Sequence, residues 1–250
     1  MDPMKLAVTG ATGATGREIV RAATARGHDV TAIARDPAKA AGLSAARLRI
    51  CDLSVADPEE LSEIFSGHDA VINAAGTLAD GPAYVPLVQR VIRAAADALG
   101  PGGRFWLMGG AGLLTVPGTD ITTLDLPGMP KLFEAHRTNL HTVAASDLDW
   151  SMLCPGPMIH APDGRPTDGL VIAADVWPVK RPALAAFAPR PALVLAFRMA
   201  LPQITIYYED AAHVIIAHLE RNSPLSRRRV GIALPHGQKR YKKAARPVSR

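Results

Sequence analysis

The sequence predicts an α/β fold, a doubly wound parallel sheet with helices on both faces. Three observations carry this expectation. Strand and helix signals alternate from Met4 to Pro155 without internal repeats or low-complexity linkers. The first strand runs directly into a glycine-rich turn, TGATGATG, residues 9–16, followed by Arg17. The 250 residues are 48% hydrophobic and 20% charged, ordinary values for one large α/β domain with a sizeable core.

Met4 to Val8 is a short apolar run that meets glycine at once, which reads as a buried strand and is too short for a signal peptide. After the turn, Ile19, Val20, Ala22 and Ala23 lie on one helical face and Gly27 ends that helix. A second strand follows at His28 to Arg35, and a third at Arg47 to Leu53. Pro58 to Phe65 reads as a helix, Ala70 to Asn73 as a fourth strand, and Leu87 to Leu99 as a helix. Arg104 to Met108 is a fifth strand, Lys131 to Ser146 a helix, and Trp150 to Cys154 a sixth strand. In such a sheet ligands bind at the carboxyl ends of the strands, near the switch in strand order. Asp52, at the end of the third strand, and Asn73 to Gly76, at the end of the fourth, both fall on that edge.

A glycine turn between a strand and a helix N-terminus suits a dinucleotide. Gly10 allows the tight turn, Gly13 the close approach of a diphosphate, and Gly16 the packing of helix on strand. The free N–H groups and the dipole of the helix start then face the phosphates. The turn thus offers Gly10, Thr12, Gly13, Ala14, Thr15 and Gly16 as cofactor-binding residues. Arg35 ends the second strand, where an adenosine ribose is met. A guanidinium suits a 2′-phosphate, which favours NADP(H) over NAD(H); the alternative is a solvated arginine at a strand end.

Charge and cysteine usage narrow the partners. The net charge is +5, but residues 236–250 contribute +6 with no acid, leaving the remainder at −1. A short basic tail of this kind reads as a solvated, disordered terminus, and no nucleic-acid partner is expected. The most hydrophobic stretch, Ala183 to Leu201, is interrupted by Pro189, Arg190, Pro191 and Arg198, so no membrane association is expected and the location expected is cytoplasmic. Cys51 and Cys154 have no metal-ligand spacing and read as small buried residues; no metal site is expected.

Together TGATGATGR, AIARD, CDL and VINAAG resemble the short-chain dehydrogenase/reductase superfamily over residues 4–155, which implies a Rossmann-type sheet. The resemblance implies that Asp52, with Leu53, contacts the adenine and that Ala74, Ala75 and Gly76 line the adenosine side of the cofactor. A capping role in the strand-to-helix turn is the alternative for Asp52. The main branch of that superfamily uses a Tyr with a Lys four residues later. Here Tyr84, Tyr207, Tyr208 and Tyr241 are followed at that spacing by Val88, Ala211, Ala212 and Ala245. The serine expected after the fifth strand is also missing from Met108-Gly109-Gly110-Ala111-Gly112. Without that phenol, interconversion of simple alcohols and ketones, and epimerase or dehydratase chemistry, are not expected.

The remaining features resemble the atypical branch, the NmrA-like proteins and the NADPH-dependent flavin, biliverdin and quinone reductases. Glu134 to Trp150 resembles the corresponding helix of the flavin and biliverdin reductases, which makes His136 the catalytic candidate; a capping or surface histidine is the alternative. Leu153 to Met158 resembles the loop beside the nicotinamide, which brings in Pro155, and Ile204 to Glu220 the strand and helix that close such domains. One domain over residues 1–235 is expected, with 159–203 as a small C-terminal excursion on the substrate side. Trp177, Phe187, Phe197 and Met199 within it would form either an apolar wall for a flat substrate or a plain packing excursion.

Two functions follow from this resemblance. One is an NADPH-dependent oxidoreductase passing hydride to a quinone or flavin, whose reduced anion is far less basic than an alkoxide, so that a dedicated acid matters less. The resemblance extends to quinone reductases of bacterial aromatic-polyketide, that is antibiotic, biosynthesis, in which a separate oxygenating partner protein takes the reduced anthraquinone. The other is a non-catalytic NADP-binding sensor that binds a partner protein.

Overall fold

In the computed structural model, residues 2–43, 46–179 and 188–241 are described. Six strands alternate with four helices in the first two thirds of the chain: β1 (Lys5–Thr9), α1 (Ala14–Ala25), β2 (Asp29–Ala34), β3 (Arg47–Ile50), α2 (Pro58–Phe65), β4 (Ala70–Asn73), α3 (Tyr84–Leu99), β5 (Arg104–Met108), α4 (Glu134–Ala144) and β6 (Asp149–Cys154). The last third contains β7 (Met158–Ile159), β8 (Val171–Ala174), α5 (Arg190–Ile204), β9 (Ile206–Tyr207), α6 (Tyr208–Ala217) and β10 (Arg228–Ala233).

The main sheet has the order β3-β2-β1-β4-β5-β6-β10-β8. β1 pairs in parallel with β2 on one side and β4 on the other, so the strand order reverses beside it. Strand periodicity divides the core into two layers. Leu6, Val8, Ala70, Ile72 and Trp106 point into the layer covered by α1 and α6. Ala7, Val71, Phe105 and Leu107 point into the layer covered by α2, α3 and α4. Burial on both faces explains why these strands read as continuous apolar runs. The expected Rossmann-type α/β fold is present.

Several elements differ from the sequence reading. β3 stops at Ile50 and all four of its residues are exposed, because it is the edge of the sheet. Cys51 and Asp52 follow the strand, and a turn begins at Leu53. α3 begins at Tyr84, three residues before the expected start; Pro86 is tolerated in the first turn, where an N–H has no helical acceptor. Ile206 and Tyr207 do not close the main sheet but form a small ribbon with β7. The strand that does close it is β10, parallel to β6, and β8 then pairs antiparallel to β10 at the edge.

The basic C-terminal segment also departs from expectation where it is described. The Arg240 guanidinium meets buried Asp210 at 3.1 Å and Thr167 Oγ1 at 3.0 Å, and lies over the Tyr207 ring. A buried carboxylate draws this cation inward. Residues 242–250 lie outside the described residues.

Candidate functional site

The glycine turn packs as its spacing predicts. Gly10 has φ +65°, and a Cβ there would lie 2.6 Å from the backbone of Ala74 and Ala75 at the end of β4. A Cβ on Gly16 would lie 2.1 Å from the Gly10 carbonyl oxygen, so only glycine lets α1 come this close to the turn. α1 starts after Gly13 with no side chain capping it, leaving its first-turn N–H groups for an anion. Thr9 Oγ1 donates to Asn73 Oδ1 at 2.6 Å, and Ala75 N–H donates to the same oxygen at 3.1 Å, which fixes the loop facing the glycines.

A groove of about 610 Å³ runs along this edge. Of the residues expected to bind a dinucleotide, Gly10, Thr12, Gly13, Arg35, Asp52, Leu53, Ala74, Ala75 and Gly76 all line it. Ala14 and Thr15 stand in the first turn of α1, and Gly16 serves the packing rather than the lining. Asp52 Oδ1 accepts from the Ser54 hydroxyl at 2.6 Å and the Ser54 N–H at 3.0 Å. These hydrogen bonds, the hydroxyl first, hold its carboxyl below the usual range. The turn-capping role is therefore real, and Asp52 faces the groove as well.

Two cations at this end were not singled out in the sequence. Lys39 lines the groove near Arg35, in a short 3₁₀ turn, Pro37–Ala40, capped by Asp36. Arg17 donates to the carbonyls of Thr12, Lys39 and Ala41, tying the glycine turn to that loop. The only sequence signal was its position immediately after Gly16.

A second cavity, about 510 Å³, opens at the same sheet edge beyond β5. Gly109 to Leu113, Leu124, Met129, Phe133, Pro155 to Met158, Phe197 and Leu201 give it an apolar lining, and His136 is the one ionisable side chain among its described lining residues. Pro155, expected beside the nicotinamide, thus lines this cavity and not the groove. The glycines standing where a serine was sought have a steric reason. A Cβ on Gly109 would lie 2.8 Å from Met152 Sδ, and one on Gly110 would lie 3.2 Å from the His136 ring.

His136 is buried rather than a surface or capping residue, with 9% of its area exposed. Burial pushes its pKa down to about 4, so the ring is neutral near pH 7. Phe133 stacks beside it with ring centroids 6.5 Å apart, and the Tyr84 hydroxyl lies 3.2 Å from Nδ1. Tyr84 stands between the two cavities, since its ring edge would lie 2.8 Å from a Cβ on Gly76 of the groove. Burial first, with minor help from Asp80, pushes the phenol up to about 12. The absence of a Lys four residues on hid Tyr84 in the sequence; it reaches the site across 52 residues.

The excursion is partly as expected. Phe197 lines the cavity, and Trp177 backs it at 5.5 Å while donating from Nε1 to Thr123 Oγ1 at 2.7 Å. Met199 instead points outward, with 71% of its area exposed, and Phe187 lies outside the described residues. Cys51 and Cys154 are free and buried. Outside both cavities, Glu18, His160 and Glu209 bring possible metal-ligand atoms within 4.8 Å of one another. Arg21 pairs with Glu18 at 2.6 Å, and the Ala161 N–H donates to Glu209. Among the described residues no helix is long and apolar enough to cross a membrane.

Comparison with known proteins agrees with this geometry. The family described as NAD(P)H-binding matches residues 10–187. Protein YwnB of Bacillus subtilis is 34% identical over 173 residues, which cover 66% of this chain and 76% of YwnB. A provisionally named NADH-flavin reductase from Streptococcus pneumoniae is 28% identical with a TM-score of 0.68, covering 93% of this chain and 100% of that one. A wide-type short-chain dehydrogenase/reductase from Veillonella parvula, solved in complex with NADP, shares the fold at 14% identity and a TM-score of 0.62, covering 94% of this chain and 96% of that one. The chain belongs to the NAD(P)H-binding family.

Proposed function

We propose that the protein is an NADPH-dependent reductase of planar aromatic acceptors, a polycyclic quinone or a flavin. The observation that carries this reading is the apolar cavity of about 510 Å³ at the same sheet edge as the dinucleotide groove, with neutral His136 as its polar group. A flat aromatic fills such a space by apolar burial, and one polar group orients it. Gly10, Gly13 and the open start of α1 hold the diphosphate, and Arg35 with Lys39 holds the 2′-phosphate. When bound, the reduced nicotinamide supplies a hydride, two electrons with one proton, leaving a quinone as its hydroquinone anion, which takes a second proton from water. His136 holds the acceptor oxygen by a hydrogen bond, and the apolar walls exclude water and align the rings.

Among quinones, the cavity size suits a fused-ring polyketide such as an anthraquinone. A separate protein would supply any oxygen chemistry that follows. The test is NADPH oxidation against anthraquinones, naphthoquinones, flavins and simple ketones. Turnover with the planar acceptors alone is expected.

One observation favours a second reading. Leu195 and Met199, one turn apart on α5, are 60% and 71% exposed. An outward apolar pair beside the excursion suits a sensor that binds NADP(H) and docks a partner protein. Tight NADPH binding without turnover on any acceptor would establish that reading over the reductase.

A further inference from the structure

Tyr84 and His136 form a buried pair whose hydrogen-bond direction decides what the cavity presents. A neutral imidazole carries one N–H. If Tyr84 accepts from Nδ1–H, the nitrogen left for the cavity is a bare acceptor. If Tyr84 donates to Nδ1, the proton sits on Nε2 and the cavity receives a donor. Nε2 is the nitrogen on the cavity side, since a Cβ on Gly110 would lie 3.3 Å from it.

The surroundings of the Tyr84 hydroxyl decide between these. The nearby amide of Asn139, one turn beyond His136 on α4, is fully buried, and neither of its atoms makes a hydrogen bond. The Tyr84 phenol must still place its own proton, and among the described residues its one hydrogen-bond partner is His136 Nδ1 at 3.2 Å. The opposite direction leaves the phenol O–H buried without a partner, which is costly in an apolar interior.

We propose that Tyr84 is a positioning residue: its hydroxyl donates to His136 Nδ1 and holds the proton on Nε2, so that His136 faces the cavity as a neutral hydrogen-bond donor. Such a donor recognises an acceptor oxygen that gains negative charge, as a quinone or flavin carbonyl does on reduction. This rests on the reductase reading for its use, but the proton's position does not. The titratable groups packed around the pair are Tyr84 itself, Cys154 of β6 and Asp80 before α3. Both Tyr84 and Cys154 are pushed up to about 12, so neither changes charge between pH 6 and 8.

The experiment is two-bond ¹H–¹⁵N correlation NMR of the ¹⁵N-histidine-labelled full chain, with and without NADP⁺, from pH 6 to 8. His136 is assigned by its absence in His136→Gln. The expected spectrum shows a bare Nδ1 and a protonated Nε2 throughout. In Tyr84→Phe the Nδ1–H form should become populated, and kcat on a quinone should fall about tenfold or more with KM for NADPH unchanged. Protonated Nδ1 or an imidazolium in the unaltered protein overturns the proposal, as does an unchanged tautomer in folded Tyr84→Phe. Absence of turnover on every acceptor would remove the reductase reading alone, because the tautomer is read without catalysis.

Discussion

Gly16 passes beneath Gly10 so closely that a methyl on Gly16 would sit 2.1 Å from the Gly10 carbonyl oxygen. By contrast, a methyl on Gly13 would meet the same oxygen at 3.3 Å. Gly16→Ala should therefore displace α1 from the turn, lowering stability by about 1–3 kcal/mol and abolishing NADPH binding. Gly13→Ala should fold normally and weaken NADPH through the approach of the diphosphate. Thermal unfolding and calorimetric titration of both variants separate the two effects.

Cofactor preference is expected to rest on Arg35, which lines the groove with Lys39. Loss of one charge-assisted contact costs on the order of 1.5–3 kcal/mol. Arg35→Asp should weaken NADPH tenfold or more and leave NADH little changed; Lys39→Ala should have the same sign and a smaller size. Equal weakening of both cofactors would assign Arg35 to the solvated strand end.

Burial of His136 makes stability depend on pH. Its pKa is about 4 in the folded chain against about 6.5 for a free histidine, so as the pH falls the unfolded chain takes up the proton first. The contribution is fully present above pH 6.5 and is lost progressively between pH 6.5 and 4, on the order of 3 kcal/mol in all. His28 and His213 are also lowered, mainly by burial, and add in the same direction. The difference in urea unfolding between the unaltered protein and His136→Gln isolates the His136 part. A difference independent of pH would contradict it.

A neutral donor at position 136 also predicts which substitutions are tolerated. His136→Gln retains an N–H group and should keep more activity than His136→Ala, in which kcat should fall well beyond threefold. Equal loss in both, judged by stopped-flow turnover, would argue that the imidazole does more than donate a hydrogen bond.

Gly110 provides a further check on this arrangement, because a Cβ there would lie 3.2 Å from the His136 ring. Gly110→Ala should push the ring aside, lowering kcat on a quinone severalfold while NADPH affinity stays constant. A serine at this place therefore would not restore ketone reduction.

The parallel half of the sheet was legible because β1, β4, β5 and β6 are buried on both faces and the glycine turn joins a strand to a helix. β10 was not, because it opens on exposed Arg228 and partly exposed Arg229 and contains Gly231, although it lies between β6 and the edge strand β8. The groove could be read residue by residue, since its contacts come from local turns. Tyr84 and Lys39 could not: they reach the site through helix packing or loop placement that no spacing in the chain announces. Arg240 escaped notice for the same reason, its partners Asp210 and Thr167 being 30 and 73 residues away.

The central claim is that the apolar cavity receives a planar acceptor for reduction by NADPH. The most direct measurement follows NADPH absorbance with the purified full chain against anthraquinones, naphthoquinones, free flavins, simple ketones and aldehydes. Oxidation is expected with the fused-ring quinones or flavins and not with the ketones or aldehydes. Turnover of simple ketones, or tight NADPH binding with no turnover across the panel, would contradict it.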